Sequence, residues 1–159
     1  MTITAQPRYW IIVGSPDNFQ RTVAHGFTMQ GIKSRHRKKA ERMAPGDKLV
    51  YYLTGRKAFA AIATITSPYF ESAERIWTSG NPKKATEAYP FRVYVSPDIV
   101  LPEDDPVLAE PVARAMTYVK KWPAEHWTLA FQGNVHEIGE ADYHLIREAV
   151  EAAQPVTAG

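Results

Sequence analysis

Two apolar stretches joined by a short turn constrain the fold of this chain more than any other feature of the sequence. Residues 48–54, KLVYYLT, and residues 58–66, AFAAIATIT, are rich in β-branched, aromatic and small apolar side chains, a composition that favours strands. Only Gly55, Arg56 and Lys57 lie between them. Because a connection of this length joins neighbouring antiparallel strands, the sequence predicts a β-hairpin here.

A strand followed by a well-marked helix is predicted near the start of the chain. Residues 8–13, RYWIIV, form an aromatic and β-branched run typical of a buried strand. Ser15 is then placed as the N-cap of a helix over residues 16–24, with Pro16 at its first position. Gly26 is placed to end that helix, because glycine readily adopts the left-handed conformation found after helix C-termini.

The remaining segments mix strand and helix patterns without regular alternation. We expect a loop at 27–34, short helices at 35–43, 107–119 and 140–153, strands at 91–96 and 129–132, and turns at 45–47 and 79–82. This mixture predicts an α+β fold, most simply a small curved sheet or barrel of about five or six strands flanked by short helices. The 159 residues fit one domain over residues 1–153, followed by a flexible tail at 154–159.

The composition and the apolar runs of the sequence indicate where in the cell the protein is expected. The chain has no cysteine, which excludes disulfides and thiolate metal sites. Its first ten residues, MTITAQPRYW, lack the basic and apolar regions of a signal peptide, and its longest apolar runs are too short to span a bilayer. We therefore expect a cytoplasmic protein without membrane contact, and a monomer is the simplest expectation for its oligomeric state.

The net charge of +2 conceals an uneven distribution along the chain. Residues 1–60 hold eleven Lys/Arg and three Asp/Glu, whereas residues 61–159 hold eight and fourteen. Such a division predicts a polarised surface whose basic part attracts phosphates. Uneven charge is also common on solvated surfaces, so that alternative stays open.

Much of the positive charge lies in residues 33–42, KSRHRKKAER. If residues 35–42 form one helix, four of the cations lie on one face at positions i, i+3, i+4 and i+7, and Arg37 lies off it. Like charges four residues apart repel by about a few tenths of a kcal/mol per pair, a cost that a bound polyanion would remove. The segment is therefore a candidate phosphate-binding surface, with a solvated helix face as the alternative. Its members are Arg35, Arg37, Lys38, Lys39 and Arg42.

The motifs of common catalytic and metal sites are missing from the sequence. The five histidines form no H-x-x-x-H pair, and His136-Glu137 lacks the second histidine of a zinc-protease helix. There is no G-x-S-x-G, P-loop or G-x-G-x-x-G motif. We therefore predict no catalytic residue, no metal site and no cofactor.

An ordered set of short motifs resembles a known family. In chain order these are Y-W-I-I-V-x-S-x-D-N, G-F-x-x-Q-x-x-K, M-x-P-G-D-K-L-V-Y-Y, Y-P-F-R-V-Y-V, H-W-T-L-A-F-Q-G and D-Y-x-x-I. Together, over about residues 8–150, they resemble the EVE domain family, and more narrowly its stand-alone UPF0310 type. The resemblance implies a PUA-like fold, a curved β-barrel surrounded by helices. It also implies recognition of modified bases, because EVE domains are similar to YTH domains, which hold a methylated adenine in an aromatic cage.

The resemblance implies positions for the rings of such a cage. Phe27 takes the place of the aromatic that follows the first helix, where YTH domains have tryptophan. Trp77 is the nearest candidate for a second ring, before the strand at 91–96. Trp127 is a candidate to close the pocket and equally a candidate for the hydrophobic core.

Polar partners for the base are implied in the same way. Ser15, Asp17 and Asn18, which follow the first strand, would face the base edge. Gln30 and Lys33 would line the rim of the pocket.

Three hypotheses about function remain open at this point. The leading one is a non-catalytic domain that recognises a modified base in RNA or modified DNA. The second is a hydrolase of modified nucleosides, since PUA-like ASCH proteins use a Thr/Lys/Glu set that Lys33 near Glu41 or Asp47 would imitate. The third is a small-ligand or protein-interaction module whose basic segment is merely solvated.

Overall fold

The structure, a computed structural model, describes residues 6–78 and 88–154. The turn predicted at 79–82 and residues 155–159 of the predicted tail lie outside the described residues. The described α-helices are α1 (Pro16–Ala24), α2 (Arg37–Arg42), α3 (Glu110–Ala113) and α4 (Glu140–Ala153), and 3₁₀ helices lie at Ser34–His36, Val119–Lys121 and Ala124–Phe131. The described strands are β1 (Tyr9–Gly14), β2 (Met29–Ile32), β3 (Lys48–Leu53), β4 (Ala58–Ile65), β5 (Phe70–Glu71), β6 (Phe91–Val100), β7 (Val107–Leu108) and β8 (Val135–Ile138).

The strands form a curved sheet in the order β2-β6-β4-β3-β1-β8, with β5 added to β6 and β7 added to β4. The β1–β3 pair is parallel and the other pairs are antiparallel. Register shifts after Tyr51 in β3 and after Ile62 in β4 mark bulges, which bend strands and increase their twist. This curled half-barrel with short helices confirms the predicted α+β class, and the β3–β4 hairpin is confirmed as well.

The sheet separates two hydrophobic clusters, and β1 contributes to both. Ile11 and Val13 belong to one cluster, whereas Trp10 and Ile12 belong to the other. This alternation follows from the two-residue period of a strand, whose successive side chains point to opposite faces. Residues of α4 bury themselves in the first cluster, and residues of α1 and α2 in the second.

The predicted start and end of α1 are confirmed. The Ser15 side chain accepts a hydrogen bond of 3.1 Å from the Asn18 backbone N–H, and Pro16 opens the helix. Beyond the helix, Gly26 and Phe27 have φ angles of 77° and 54°. Two successive left-handed residues reverse the chain sharply, and the reversal leads directly into β2.

Several weaker predictions of secondary structure were wrong. The expected loop at 27–34 contains β2, and the strand expected at 129–132 belongs largely to a 3₁₀ helix. The helix expected over 107–119 is replaced by β7, α3 and further turns. Pro111 explains the break, because proline is tolerated in the first turn of a helix and not in its interior. Within the part of the chain that the structure describes, no helix is both long and apolar enough to cross a membrane.

Candidate functional site

A cleft lies where the end of β1, the start of α1 and the end of β2 meet. Its volume is about 140 Å³. We call it the Asn18 cleft; it is lined by Val13, Gly14, Ser15, Asn18, Lys33, Thr54, Tyr89 and Gly133. Three residues predicted from the sequence, Ser15, Asn18 and Lys33, are therefore brought together here. Gln30 and Trp77 join Asn18 in the lining of a smaller adjoining cavity.

The side-chain amide of Asn18 acts as a donor and an acceptor at once. Its Oδ1 accepts 3.0 Å from the backbone N–H of Thr78, and its Nδ2 donates 2.7 Å to the backbone carbonyl of the same residue. Arg21 donates to the same Oδ1 at 2.8 Å, which fixes the orientation of the amide. Asn18 is only 9% exposed, so this paired arrangement is sheltered from water. An asparagine amide that both donates and accepts is also the group that pairs with the edge of adenine.

Trp77 is held beside the cleft by a buried chain of hydrogen bonds. The ring is 3% exposed, and its Nε1 donates to Thr22 Oγ1 at 2.9 Å. The Thr22 hydroxyl bonds Gln30 Oε1 at 3.1 Å, and Gln30 Nε2 donates to the Gly31 carbonyl at 2.9 Å. A Cβ added to Gly31 would overlap the Trp77 ring, so the absence of a side chain there makes room for the indole. Gln30 thus orients Thr22, and through it Trp77.

Tyr89 and Asn134 belong to the site although the sequence analysis did not name them. The Tyr89 and Trp77 ring centroids are 6.1 Å apart, and the Lys33 Nζ lies 5.7 Å from the Tyr89 centroid. Asn134 is buried. Its side-chain oxygen accepts a hydrogen bond from the Lys33 backbone N–H, and its backbone carbonyl accepts one from the Val13 N–H; both bonds are 2.8 Å long. Asn134 therefore fixes the end of β1 against the end of β2. Its one sequence signal is a polar residue beside Gly133, directly before an apolar strand.

The other predicted pocket residues lie elsewhere. Asp17 is exposed in the first turn of α1. Phe27 is 5% exposed and packs edge-on against Phe19 and Tyr51, with ring centroids 5.9 and 5.2 Å apart. Trp127 is 7% exposed in the opposite hydrophobic cluster, 6.1 Å from the Phe131 ring. Phe27 has a positive φ and its ring belongs to the core, so the ring expected to stack on a base is instead buried against Phe19 and Tyr51.

The basic segment at 33–42 does not form one helix. A 3₁₀ turn precedes α2, and His36 breaks the helix between them with φ −104° and ψ 27°. The positions i, i+3, i+4 and i+7 therefore do not share one straight face, and the predicted single stripe is wrong in this respect. The cause is local, since no side chain caps either helical turn by a hydrogen bond and α2 buries only one small apolar residue, Ala40.

The protein itself pairs three of the five predicted phosphate-binding cations with an acid or with a distant backbone carbonyl. Arg37 pairs with Glu41 at 3.2 Å, and Arg42 pairs with Glu137 while its guanidinium lies 5.4 Å from the Trp10 ring. Lys39 donates to the Val135 carbonyl at 2.9 Å, and burial, with a smaller contribution from Arg42, lowers its pKa. The other two, Arg35 and Lys38, are exposed: Arg35 donates a hydrogen bond of 3.3 Å to its neighbour His36, and Lys38 has no hydrogen-bond or ion-pair partner among the described residues.

The two carboxylates that the hydrolase alternative would place near Lys33 contact other parts of the protein. Glu41 is paired with Arg37. Asp47 is buried and accepts hydrogen bonds from the Arg8 and Ala44 backbone and from the Trp10 indole. Both acids therefore have structural partners.

His36, which lies within the basic segment, is expected to make the stability of the protein depend on pH. Burial, together with smaller contributions from the nearby Lys39, Arg35, His136 and Lys33, lowers its pKa from 6.5 to about 4. The unfolded chain therefore takes up a proton before the folded protein does, and we expect the free energy of unfolding to fall as the pH drops from 6.5 towards about 4.

Urea denaturation of the wild type and of His36→Gln at about pH 7 and about pH 5 checks this expectation. The variant should lose less stability between the two conditions than the wild type. His136, whose pKa burial also lowers, should account for part of the remaining pH dependence. The same loss in both proteins would contradict the assignment to His36.

Comparison with known proteins supports the fold. The chain is 27% identical over 150 residues to a UPF0310 protein of Pyrococcus horikoshii, covering 88% of this chain and 97% of that one. The Mmi1 YTH domain in complex with RNA has a TM-score of 0.65 at 9% identity, covering 93% of this chain and 80% of that one. The YTH domain of the Zygosaccharomyces rouxii MRB1 protein in complex with N6-methyladenosine RNA has a TM-score of 0.63 at 13% identity, covering 99% and 93%.

These likenesses confirm the predicted PUA-like fold. The resemblance seen in the ordered motifs is confirmed as well, because the sequence model of the EVE domain matches residues 8–149. That match covers most of the chain, and this protein therefore belongs to the EVE domain family.

Proposed function

We propose that this protein binds nucleic acid without altering it chemically and holds one modified base of RNA or DNA in the Asn18 cleft. The observation that carries the proposal is the Asn18 amide, which already bonds a donor and an acceptor at once, the backbone N–H and the backbone carbonyl of Thr78. A base edge offers the same pair of groups. Support also comes from the YTH domains of similar fold, whose structures contain RNA, in one case N6-methyladenosine RNA.

The residues around the cleft divide into two roles under this proposal. Asn18 and Ser15 would face the base edge, and the rings of Trp77 and Tyr89 would flank the base. Gln30 would not contact the base; it would hold Trp77 in place through the Thr22 hydroxyl. Because the Asn18 amide bonds the Thr78 backbone in the free protein, a base edge that pairs with Asn18 would take the place of that backbone. Unpaired bases are held in this way by stacking and by bonds to their edges.

Phosphates around the base would be held by the cations at the mouth of the cleft. Lys33 lines the cleft, and Arg35 and Lys38 are exposed next to it in sequence. Such contacts position the strand, whereas the cleft selects the base.

Fluorescence polarisation with short RNA and DNA oligonucleotides tests the base cleft. Matched oligonucleotides, unmodified or carrying methylated adenine or cytosine, should reveal a preference for one modified base. Asn18→Ala should lower affinity for that base by about tenfold or more, since a bidentate contact is worth about 1–3 kcal/mol. Gln20→Ala is the matched control, because Gln20 is on the same helix but lines a different surface. Wild-type selectivity in Asn18→Ala, or no binding at low salt by the wild type, would contradict the proposal.

The salt dependence of binding tests the phosphate contacts separately. Arg35→Ala with Lys38→Ala should reduce the slope of log K against log salt by about one unit per lost contact. Arg37→Ala should leave the slope nearly unchanged, because Arg37 is already paired with Glu41. An unchanged slope in the double variant would show that these two cations do not contact phosphate.

A further inference from the structure

A second cavity lies between two of the 3₁₀ helices, away from Asn18. Its volume is about 280 Å³, twice that of the Asn18 cleft. We call it the Trp122 cavity; it is lined by Arg114, Val119, Lys120, Trp122, Ala124 and Trp127. Val119 and Trp127 are buried and Trp122 is partly buried, so the floor is apolar and aromatic. The two cations stand at its edge and are exposed.

A strip of rings leads from this cavity towards the Asn18 cleft. The Trp122 and Tyr118 ring centroids are 5.5 Å apart, and the Tyr118 hydroxyl is 2.8 Å from His136 Nδ1. The other ring nitrogen of His136, Nε2, lies 4.0 Å from where a Cβ on Gly133 would be, and Gly133 lines the cleft. These side chains therefore lead from the Trp122 cavity to the neighbourhood of Gly133 at the cleft. We call Tyr118, Trp122 and His136 the aromatic strip.

Cations lie near both ends of the strip. Lys121 Nζ lies 4.9 Å from the centroid of the Tyr118 ring, and Lys120 borders the cavity. At the other end, near the Asn18 cleft, His36 Nε2 would lie 3.9 Å from a Cβ added to Gly133. Lys33 and Arg35 are close enough to His36 to lower its pKa. The segment 119–122 thus supplies lysines within a half of the chain that is otherwise acidic.

We infer that the aromatic strip and the Trp122 cavity bind the same nucleic acid as the Asn18 cleft, as a single strand whose flanking base stacks on Trp122. The inference rests on the proposed function and extends it from one base to a strand path. Cations beside partly exposed rings fit a single strand, because cations track the backbone and bases stack on aromatic side chains. A duplex keeps its bases stacked inside and offers no face to such a ring.

Binding of oligonucleotides of two lengths tests the inference. The probes are one of about three nucleotides centred on the preferred modified base and one of about nine, within the range that such grooves cover. Trp122→Ala should weaken binding of the longer probe by about tenfold and leave the shorter one unchanged, whereas Trp122→Phe keeps a stacking face and should retain most of the affinity. Asn18→Ala should weaken binding of both probes.

A charge-reversal variant tests the inference independently, in case the tryptophan variants misfold. Lys120→Glu with Lys121→Glu leaves the apolar floor intact and should weaken only the longer probe, with a thermal unfolding curve like that of the wild type. Wild-type affinity for the longer probe in both Trp122→Ala and the lysine variant would overturn the inference, as would equal losses for the two lengths. If Asn18→Ala has no effect but Trp122→Ala does, the proposed base cleft fails and the strand-binding strip stands.

Discussion

Replacing Asp47 with alanine should lower the free energy of unfolding by about 3 kcal/mol or more. Asp47 is 3% exposed and accepts three hydrogen bonds, at 2.9 Å from the Arg8 N–H, 3.0 Å from Trp10 Nε1 and 3.1 Å from the Ala44 N–H. One carboxylate thus joins the start of β1, the turn after α2 and the start of β3. Alanine would leave these donors without an acceptor, and each buried unpaired donor costs about 1–3 kcal/mol.

Urea denaturation followed by circular dichroism measures this loss directly. Asp47→Asn keeps one side-chain oxygen and should fall between the alanine variant and the wild type. Asp98→Ala is the matched control: it removes an aspartate that bonds Lys48 and Thr64 at the surface, where such pairs are worth about 1 kcal/mol or less. Equal losses at the two aspartates would show that burial of Asp47 does not dominate its contribution.

Replacing Gly31 with alanine should displace the Trp77 indole and disable the candidate site. The added Cβ would overlap the indole and approach the Tyr89 Cβ to 3.0 Å. The ring cannot bend, and Asn18 holds the adjoining Thr78 by two hydrogen bonds. We therefore expect a stability loss of about 1–3 kcal/mol from overpacking. We also expect at least a tenfold loss of affinity for the preferred oligonucleotide, since the rings around the cleft would no longer be aligned.

Tryptophan fluorescence and oligonucleotide binding together check this result. Exposure of Trp77 should red-shift the emission and increase quenching by iodide, and Trp77→Phe identifies which part of the signal comes from this ring. Gly139→Ala is the control, because a Cβ there would meet nothing within 4 Å. Wild-type fluorescence and binding in Gly31→Ala would show that the close packing of Gly31 against Trp77 is not required.

Features set by nearby residues were predictable from the sequence. Ser15, Pro16 and Gly26 act within one turn of the helix they bound, so the limits of α1 follow from local chemistry. The β3–β4 hairpin likewise depends on two adjacent segments and the short turn between them. The ordered motifs predicted the family and, with it, the curved fold.

Features set by distant residues were not predictable in the same way. β2 is four residues long, and its pairing with β6 is specified by a strand far along the chain. The site likewise depends on contacts between residues that are distant in sequence: Asn18 and Tyr89 are 71 residues apart, and Lys33 and Asn134 are 101 apart. Phe27 shows the same limitation, because the direction of its ring depends on a backbone reversal that the sequence pattern did not reveal.

The position of β1 within the sheet has a consequence for how the protein folds as it is synthesised. Tyr9 pairs with Lys48 on one side and with Ile138 on the other, so β1 gains its second neighbour only when residues 135–138 are available. Pairing across such sequence distances slows folding, and an unpaired strand edge invites association with other chains. On the ribosome, a nascent chain that has not yet exposed β8 therefore presents an open edge of β1. The addition of β8 is then the late step that covers this edge.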